Sequence, residues 1–299
     1  MNLNLNNKVE IQISPIKKQS NRKILLYIVY GDDQVYYDGA IFSFLTFKYW
    51  LKRDNSVEIY VLTEKPDLFE GYPINVLIMS DKQKTEWSLK GKYHFRIKNR
   101  GLAFVMDQLK LKDMDKILFL DTDTYFHKSP LPIFNLIQSN QAVFYLNEGL
   151  IYSRKRFSTF VRNLEGKKIQ IDGQTYELSR KSAMWGSLMV GIMPNMRPSL
   201  DWSDKLMLKF FETIPAHTIE PFALSESLLM KYKMVEGKNF VSLYSTSRKK
   251  KYASDVLSTF FNEIKLLSIN EQVLLAQNVK IKRPFFIFLK QYFLRITKN

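Results

Sequence analysis

Apolar runs alternate with amphipathic stretches along the first half of the chain. Residues 23–30 (KILLYIVY) form a continuous β-rich run that ends at Gly-Asp-Asp, which predicts a buried strand followed by a turn. Similar runs predict further strands at residues 57–64, 74–80, 116–124 and 142–149. Helices are predicted at residues 40–50 and around the apolar stripe of Leu102, Val105, Met106 and Leu109.

Strands that are apolar on both faces and alternate with helices indicate an α/β fold. Such strands form a mostly parallel, Rossmann-like central sheet that helices cover on both sides. In open sheets of this kind, ligands bind outside the carboxyl ends of the strands. Asp121 and Asp123 follow directly on the fourth predicted strand. The fold class therefore places these two carboxylates at the edge where a binding site is expected.

The second half of the chain has a looser pattern. Residues 153–182 are polar and basic and predict an inserted loop or hairpin, whereas residues 182–193 predict another strand. Residues 199–214 and 222–235 predict helices. We expect a single domain at residues 21–265, an N-terminal segment at 1–20 and a basic, helical C-terminal extension at 266–299.

Composition narrows the chemistry. The 299 residues carry a formal charge of +16 and contain no cysteine, which excludes disulfides, thiolate zinc sites and a cysteine nucleophile. The basic excess favours an anionic partner, whether nucleic acid, an anionic membrane or phosphorylated small molecules. No apolar signal-peptide core and no membrane-spanning run are present in the sequence. We therefore expect a protein that is not secreted through a signal peptide.

The segment KILFLDTDTYF, residues 116–126, has the pattern of a metal and diphosphate site. In an extended segment, residues i and i+2 point to the same side, so Asp121 and Asp123 would face one pocket. Mg²⁺ and Mn²⁺ prefer carboxylate, water and phosphate oxygens, often with only one or two protein carboxylates. The alternative is a pair of turn-forming or capping aspartates. We expect Asp123 to hold the metal directly and Asp121 to contact metal-bound water and the ribose.

Residues 115–126 resemble the Asp-x-Asp segment of GT-A fold glycosyltransferases, which move a sugar from a nucleotide-sugar to an acceptor. KYHFRIKNRGLAFVM resembles the helix before that segment, AMWGSLMVGI the strand that lines the sugar and acceptor site, and HTIEPFALSESLL a later segment of related bacterial enzymes. The resemblance runs from about residue 23 to residue 261. It implies the GT-A fold, a nucleotide-sugar donor, most simply a UDP-sugar, and Mn²⁺ or Mg²⁺.

This chain departs from the family at identifiable positions. Gly186 stands where the related strand has Asn, and Leu188 stands where it has Gly. Retaining family 8 enzymes of this fold add a C-terminal histidine in a His-x-x-Gly-x-x-Lys-Pro-Trp motif, and this sequence has no such motif. Its histidines are His94, His127 and His217. The stereochemistry of transfer and the full set of metal ligands therefore stay open at this point.

Several residues are assigned to the donor by the resemblance. Arg96 and Lys98, followed by Arg100, could grip the diphosphate, with solvated surface charge as the alternative. The remaining donor-binding candidates are Tyr30, Gly31 and Asp32 at the nucleotide base, Glu64 at the base or ribose, and Thr122 between the two aspartates. For the first three, the alternative is a plain turn between strand and helix, and for Glu64 it is a capping or surface role.

The acceptor side has fewer candidates. Glu220 is the best available base for the acceptor hydroxyl, with Glu226 behind it, although Glu at a helix start also suits the helix dipole. Trp185 and Gly186 are assigned to the sugar and acceptor, with core packing as the alternative for Trp185. His217 is interpreted as a loop or packing residue.

The C-terminal tail, residues 281–299, predicts a basic amphipathic helix from Pro284. Phe and Leu on one face with flanking Lys and Arg fit a helix in an anionic membrane interface, and docking on the catalytic domain is the alternative. We expect a cytoplasmic enzyme, peripheral on the inner membrane, that glycosylates a glycan or lipid-linked acceptor of a surface polysaccharide.

Three other functions fit the sequence less well. Haloacid-dehalogenase-like phosphatases use Asp-x-Asp with the first Asp, here Asp121, as nucleophile, but want Thr or Val where this chain has Tyr125 and place the motif at the domain start. A sugar nucleotidyltransferase needs a Gly-rich N-terminal loop, which residues 23–34 lack. A nucleic-acid-binding protein is suggested by charge alone, since no binding module is present, and we expect no nucleic-acid partner.

Overall fold

The computed structural model describes residues 21–281, leaving aside the side chains of residues 247 and 248. The strands are β1 (Lys23–Val29), β2 (Val57–Thr63), β3 (Asn75–Ile78), β4 (Lys116–Leu120), β5 (Thr124–Phe126), β6 (Gln141–Leu150), β7 (Lys168–Ile171), β8 (Gln174–Glu177), β9 (Ala183–Ile192), β10 (Lys233–Glu236) and β11 (Val241–Leu243). The α-helices are α1 (Gln34–Leu51), α2 (Asp81–Trp87), α3 (Arg96–Gln108), α4 (Leu131–Leu136), α5 (Ser158–Leu164), α6 (Arg197–Thr213), α7 (Ile219–Leu229), α8 (Ser247–Ile264) and α9 (Ile269–Ala276).

The central sheet has seven strands in the order β10-β6-β9-β4-β1-β2-β3. Strands β3, β2, β1 and β4 run parallel to one another, and β10 runs parallel to β6. Strand β9 is antiparallel to both of its neighbours, β4 and β6. The predicted α/β fold with a mostly parallel, Rossmann-like sheet is confirmed.

The inner strands are apolar on both faces because helices cover both faces. On β1, Leu25 and Tyr27 pack into a cluster with α1, whereas Ile24 and Leu26 pack into a second cluster with α3 and α7. All four side chains are fully buried. This explains why the sequence shows a continuous run instead of alternation.

The inserted residues between β6 and β9 form a small subassembly on one side of the sheet. Strands β7 and β8 make an antiparallel hairpin, one of the two alternatives predicted from the sequence, and α5 precedes it. A third aromatic cluster fills the space between this insertion, α6 and α7. Within it, Phe210 and Phe222 stack with ring centroids 5.5 Å apart. The insertion therefore has its own core against the two helices.

The C-terminal helices pack on the core. Phe260 of α8 and Ala276 of α9 belong to the same cluster as α1, and Ile281 joins them at the end of the described chain. The described part of the predicted extension from residue 266 thus lies against α1. The helix predicted from Pro284 lies outside the described residues. Among the helices that are described, none has the length and apolar character to cross a membrane.

Two predicted elements are wrong at their ends. The helix predicted at 222–235 stops at Leu229, and residues 233–236 form β10 at the edge of the sheet beside β6. The strand predicted at 116–124 stops at Leu120, and a turn separates it from β5, which pairs with β11 in a small sheet. In each case a distant segment of the chain supplies the pairing partner, which no local pattern shows.

Candidate active site

The candidate site lies at the carboxyl edge of the sheet, beyond β1, β2 and β4. Asp121 directly follows β4, and its backbone N–H donates to the Leu188 carbonyl at 2.8 Å, which continues the pairing with β9. Thr122 and Asp123 then form a turn. The alternation expected of an extended strand therefore does not hold here, and the turn is what keeps the two carboxylates near each other.

Tyr244 and helix α1 both contact the backbone of this turn. The Tyr244 hydroxyl donates to the Thr122 carbonyl at 3.0 Å, and the Tyr244 N–H donates to the Asp123 carbonyl at the same distance. Gly39 of α1 lies against the same carbonyl, because a Cβ atom there would overlap the Thr122 carbonyl oxygen and lie 2.8 Å from the Tyr244 hydroxyl. A glycine at this helical position is what allows the turn to sit so close to α1.

Lys98 is the centre of the site. Its Nζ lies 3.0 Å from Asp121 Oδ2 and 3.4 Å from Glu220 Oε2, and it donates to Ser187 Oγ at 3.1 Å. The Ser187 hydroxyl in turn donates to Glu220 Oε2 at 2.9 Å. Side-chain exposure is 11% for Lys98, 27% for Asp121 and 1% for Glu220. One ammonium thus joins α3, β9, α7 and the end of β4.

Burial and charge shift the titration of all three groups. Burial raises the pKa of Asp121 to about 7, against the lowering effect of Lys98 and with a further rise from the nearby Asp123 carboxylate. Burial also raises the pKa of Glu220, opposed by Lys98. For Lys98, burial lowers the pKa, but Asp121 and Glu220 outweigh it and the pKa stands above its ordinary value. The lysine therefore stays charged between two carboxylates.

Asp123 has a second lysine as its partner. Lys250 of α8 places its Nζ 3.0 Å from Asp123 Oδ2 and 5.5 Å from the centre of the Tyr36 ring. Asp123 Oδ1 is buried and has no hydrogen-bond partner among the described residues. Sequence reasoning missed Lys250. The signal was the basic run at 248–251, but nothing local indicated that α8 folds back onto the aspartate turn.

The residues present fit a divalent cation in part. A buried, unpartnered carboxylate oxygen on Asp123 beside the Asp121 carboxylate is the donor chemistry that Mn²⁺ or Mg²⁺ takes. Within residues 21–281, no group of three or more His, Cys, Asp or Glu side chains converges on one point. A metal here would therefore take Asp121 and Asp123 from the described protein and complete its shell with water and phosphate oxygens.

The predicted nucleotide-binding residues lie beside this centre, at the ends of β1 and β2. Gly31 has φ of +96°, a conformation that favours glycine, and its N–H donates to Glu64 Oε1 at 2.6 Å. Glu64 also pairs with Lys84 at 2.6 Å, so it braces the turn after β1. The Tyr30 hydroxyl donates to the His94 carbonyl at 3.0 Å, and the Asp32 side chain is exposed. These four residues share one edge, and only Asp32 extends fully into solvent.

Arg96 was expected to bind phosphate, but its side chain pairs with a carboxylate on another helix. Its guanidinium forms a bidentate pair with Asp204 of α6, with Nε and Nη2 at 2.7 and 2.8 Å, and both side chains are buried. Arg100 approaches the same carboxylate at 3.7 Å. The pair joins α3 to α6. The structure therefore supports a structural role for Arg96 and leaves Lys98 as the lysine that faces the site.

The predicted acceptor residues divide in the same way. Glu220 lies in the Lys98 network, and its Oε1 is buried without a partner among the described residues. Trp185 packs in the core with its ring centroid 6.3 Å from that of Phe144, which favours core packing over sugar stacking. Gly186, next along β9, is buried too. Glu226 is hydrogen-bonded by Ser182, Tyr176 and the Ala183 N–H, and burial raises its pKa, so it joins the insertion to α7.

Comparison with known proteins adds no assignment. No protein-family model matches this chain, and no curated protein matches it significantly. A function for this protein therefore has to be inferred from its sequence and from the geometry of the site.

Arg96→Met tests whether the guanidinium is structural. The change leaves Asp204 buried without its bidentate partner, so we expect the free energy of unfolding to fall by about 3–5 kcal/mol. The matched control is Arg197→Met, which removes a bidentate pair with Asp107 and a second pair with Asp201, both carboxylates more exposed than that of Asp204, and should cost only about 1 kcal/mol. Urea denaturation measures both. Equal stability of the two variants, with donor binding lost only in Arg96→Met, would return Arg96 to the phosphate site.

Gly39→Ala tests the packing of the aspartate turn. Alanine normally stabilises a helix by about 1 kcal/mol relative to glycine, yet here its methyl group meets a backbone carbonyl, so we expect a net loss of about 1–3 kcal/mol. We also expect weaker Mn²⁺ binding, because the turn must move. Gly101→Ala is the control, since a methyl group there meets only the side-chain ends of Ile28 and Leu62. Urea denaturation measures the stability of both variants, and calorimetric titration measures their Mn²⁺ affinity. A Gly39→Ala variant that is more stable than the wild-type protein and binds Mn²⁺ equally well would contradict the prediction.

Proposed function

We propose that this protein is a metal-dependent glycosyltransferase of the GT-A fold, which moves a sugar from a nucleotide-diphosphate sugar, most simply a UDP-sugar, to a glycan or lipid-linked acceptor. One observation carries the proposal: at the carboxyl edge of the sheet, Lys98 joins Asp121 to Glu220, while Asp123 has a buried oxygen without a hydrogen-bond partner in residues 21–281. The sequence resemblance to the Asp-x-Asp segment of that family supports the same assignment.

The two lysines suit a diphosphate. Lys98 and Lys250 neutralise Asp121 and Asp123 within the described protein. If Asp121 and Asp123 held a divalent cation, Lys98 and Lys250 would be available to phosphate oxygens, which lysine binds as a point charge. The cation itself would supply charge stabilisation to the leaving diphosphate. The described protein thus places two lysines beside three carboxylates, Asp121, Asp123 and Glu220, and a divalent cation would compensate the excess of negative charge.

Glu220 is the carboxylate that we assign to the acceptor. Its raised pKa and unpartnered Oε1 suit a group that accepts a proton from an acceptor hydroxyl. Ser187 and Lys98 both contact Oε2, so they orient the carboxylate and leave Oε1 to the acceptor. The Lys98 ammonium then stabilises the carboxylate before the proton arrives. This assignment corresponds to direct attack of the acceptor on the donor sugar.

We also propose that the enzyme is cytoplasmic and peripheral on the inner membrane, where it serves surface-glycan synthesis. Support comes from the chain that leads into the basic tail. Leu266 is 90% exposed, and Leu274 and Leu275 on α9 are exposed as well. Apolar side chains next to a basic segment are the composition that binds an anionic lipid surface.

Asp123→Asn and Asp121→Asn test the proposed function. Both changes keep the side-chain volume but remove a charged metal ligand, so we expect at least a hundredfold loss of Mn²⁺-dependent UDP-sugar hydrolysis, on the order of 3 kcal/mol. The fold should persist, since asparagine has nearly the volume of aspartate and its side-chain oxygen can still accept hydrogen bonds from Lys98 or Lys250. Asp113→Asn is the matched control, because it changes an exposed carboxylate before the amino end of the same strand.

Thermal shift with UDP-, GDP-, CMP- and dTDP-sugars, with and without Mn²⁺, identifies the nucleotide. Stabilisation by one of them only in the presence of Mn²⁺ supports the proposal. Full hydrolysis in either Asn variant refutes the metal assignment, and the absence of any nucleotide-sugar response in the wild-type protein refutes the transferase.

Deleting the residues after Lys282 tests the membrane proposal. The deletion removes the basic amphipathic segment, so we expect the protein to move from the membrane fraction to the soluble fraction while it still hydrolyses the donor. Fractionation of cell lysates measures the distribution. Unchanged membrane association of the truncated protein would remove the tail as the anchor.

A further inference from the structure

A cavity adjoins the Lys98 network. It has a volume of about 510 Å³ and lies between the segment before α3 and the loop from α6 to α7. Its lining includes the rings of Tyr93, Phe95 and Phe211 and the imidazoles of His94 and His217. This volume is in the range of small-molecule sites.

The cavity shares a hydrogen-bonded wall with the Lys98 network. The Tyr93 hydroxyl accepts from the Glu220 N–H at 2.8 Å and donates to the His217 carbonyl at 3.0 Å. At its other end, the His94 carbonyl accepts from the hydroxyl of Tyr30, which follows β1. A molecule in the cavity would therefore lie between the Glu220 helix and the strand end assigned to the nucleotide.

The lining of the cavity combines aromatic rings with imidazole and ammonium groups. Phe211 packs against Tyr93 with ring centroids 5.3 Å apart, and Phe95 lies 5.7 Å from Tyr93, so the wall offers aromatic surface. The imidazoles of His94 and His217 contact the Phe95 ring and make no hydrogen bond to other described residues. Both histidines are exposed, and Lys92 is exposed beside them. Aromatic faces next to unused hydrogen-bonding groups suit a ligand that has both apolar and hydroxyl surfaces.

A pyranose ring is such a ligand, because its C–H groups form apolar faces and its hydroxyls project from the rim. We propose that this cavity binds a sugar ring of the acceptor, with the Tyr93 side chain between that ring and Glu220. That the bound sugar is an acceptor rests on the proposed glycosyltransferase activity. Binding of a sugar to the cavity does not depend on that activity. The aromatic rings supply stacking area, and His94 and His217 supply hydrogen bonds.

A different cavity provides the matched comparison. It has a volume of about 640 Å³ and is lined by Lys48, Lys52 and Tyr72, so it also combines an aromatic ring with basic groups. It lies between α1 and α9, and its lining includes none of the site residues. Sugar binding that depended only on a basic, aromatic surface would use both cavities equally.

Saturation-transfer NMR with the methyl α- and β-glycosides of glucose, galactose and N-acetylglucosamine tests the inference on the full-length protein. We expect at least one glycoside to receive saturation at its ring protons. Phe211→Ala should weaken its affinity by about 3- to 10-fold through the lost ring contact. His217→Ala should weaken the affinity for the glycoside similarly. This variant keeps the backbone carbonyl that accepts from the Tyr93 hydroxyl, so we expect it to fold. Tyr72→Ala should bind as the wild-type protein does.

The outcomes separate the two proposals. Saturation that is lost in Phe211→Ala and His217→Ala but kept in Tyr72→Ala supports the acceptor cavity. No saturation in the wild-type protein, or equal saturation in all variants, overturns it. Neither of these results tests the proposed glycosyltransferase activity. The Mn²⁺-dependent thermal shift with nucleotide-sugars tests that activity. If that shift is absent while the cavity binds glycosides, the site is a sugar-binding site without the proposed transfer.

Discussion

The buried ammonium of Lys98 is the interaction on which the candidate site depends. Asp121 comes from the end of β4 and Glu220 from α7, and without a cation between them two carboxylates would face each other in a largely desolvated space. Removing one partner of a buried ion pair is costly, because the other charge is left uncompensated. The same ammonium bonds to Ser187 on β9, so a single charge links three elements that are distant in the sequence.

The aspartate turn depends on a second, independent set of contacts. Tyr244 donates hydrogen bonds to its backbone, Gly39 leaves room for the Thr122 carbonyl beside α1, and Lys250 neutralises Asp123. Tyr244 lies in the segment that leads into α8, and Lys250 lies in α8 itself. Helix α8 is consequently part of the site, which the sequence pattern did not indicate, although α8 lies within the predicted domain of residues 21–265.

The sequence predicted the parts of the fold that follow from local pattern. Buried strands showed as continuous apolar runs, and Asp121 could be placed at the carboxyl end of β4 because an apolar run stopped there. What it could not predict was the partner of each charge. Arg96 and Lys98 are two residues apart and chemically alike, yet Arg96 pairs with Asp204 and Lys98 faces Asp121. Their different directions on α3 matter only once α6 and β4 are packed around that helix.

The sequence by itself determined the α/β class, the central strands and the pair of carboxylates at a strand end, because hydrophobic periodicity is a local property of the chain. Only the tertiary structure decided that these carboxylates lie in a turn, that Lys98 and Lys250 balance them, that Trp185 is in the core, and that residues 233–236 form an edge strand. The physical reason is that each of these outcomes is a contact between segments far apart in sequence. Such contacts depend on packing and on charge compensation in a buried space, and neither is encoded in a short window of residues.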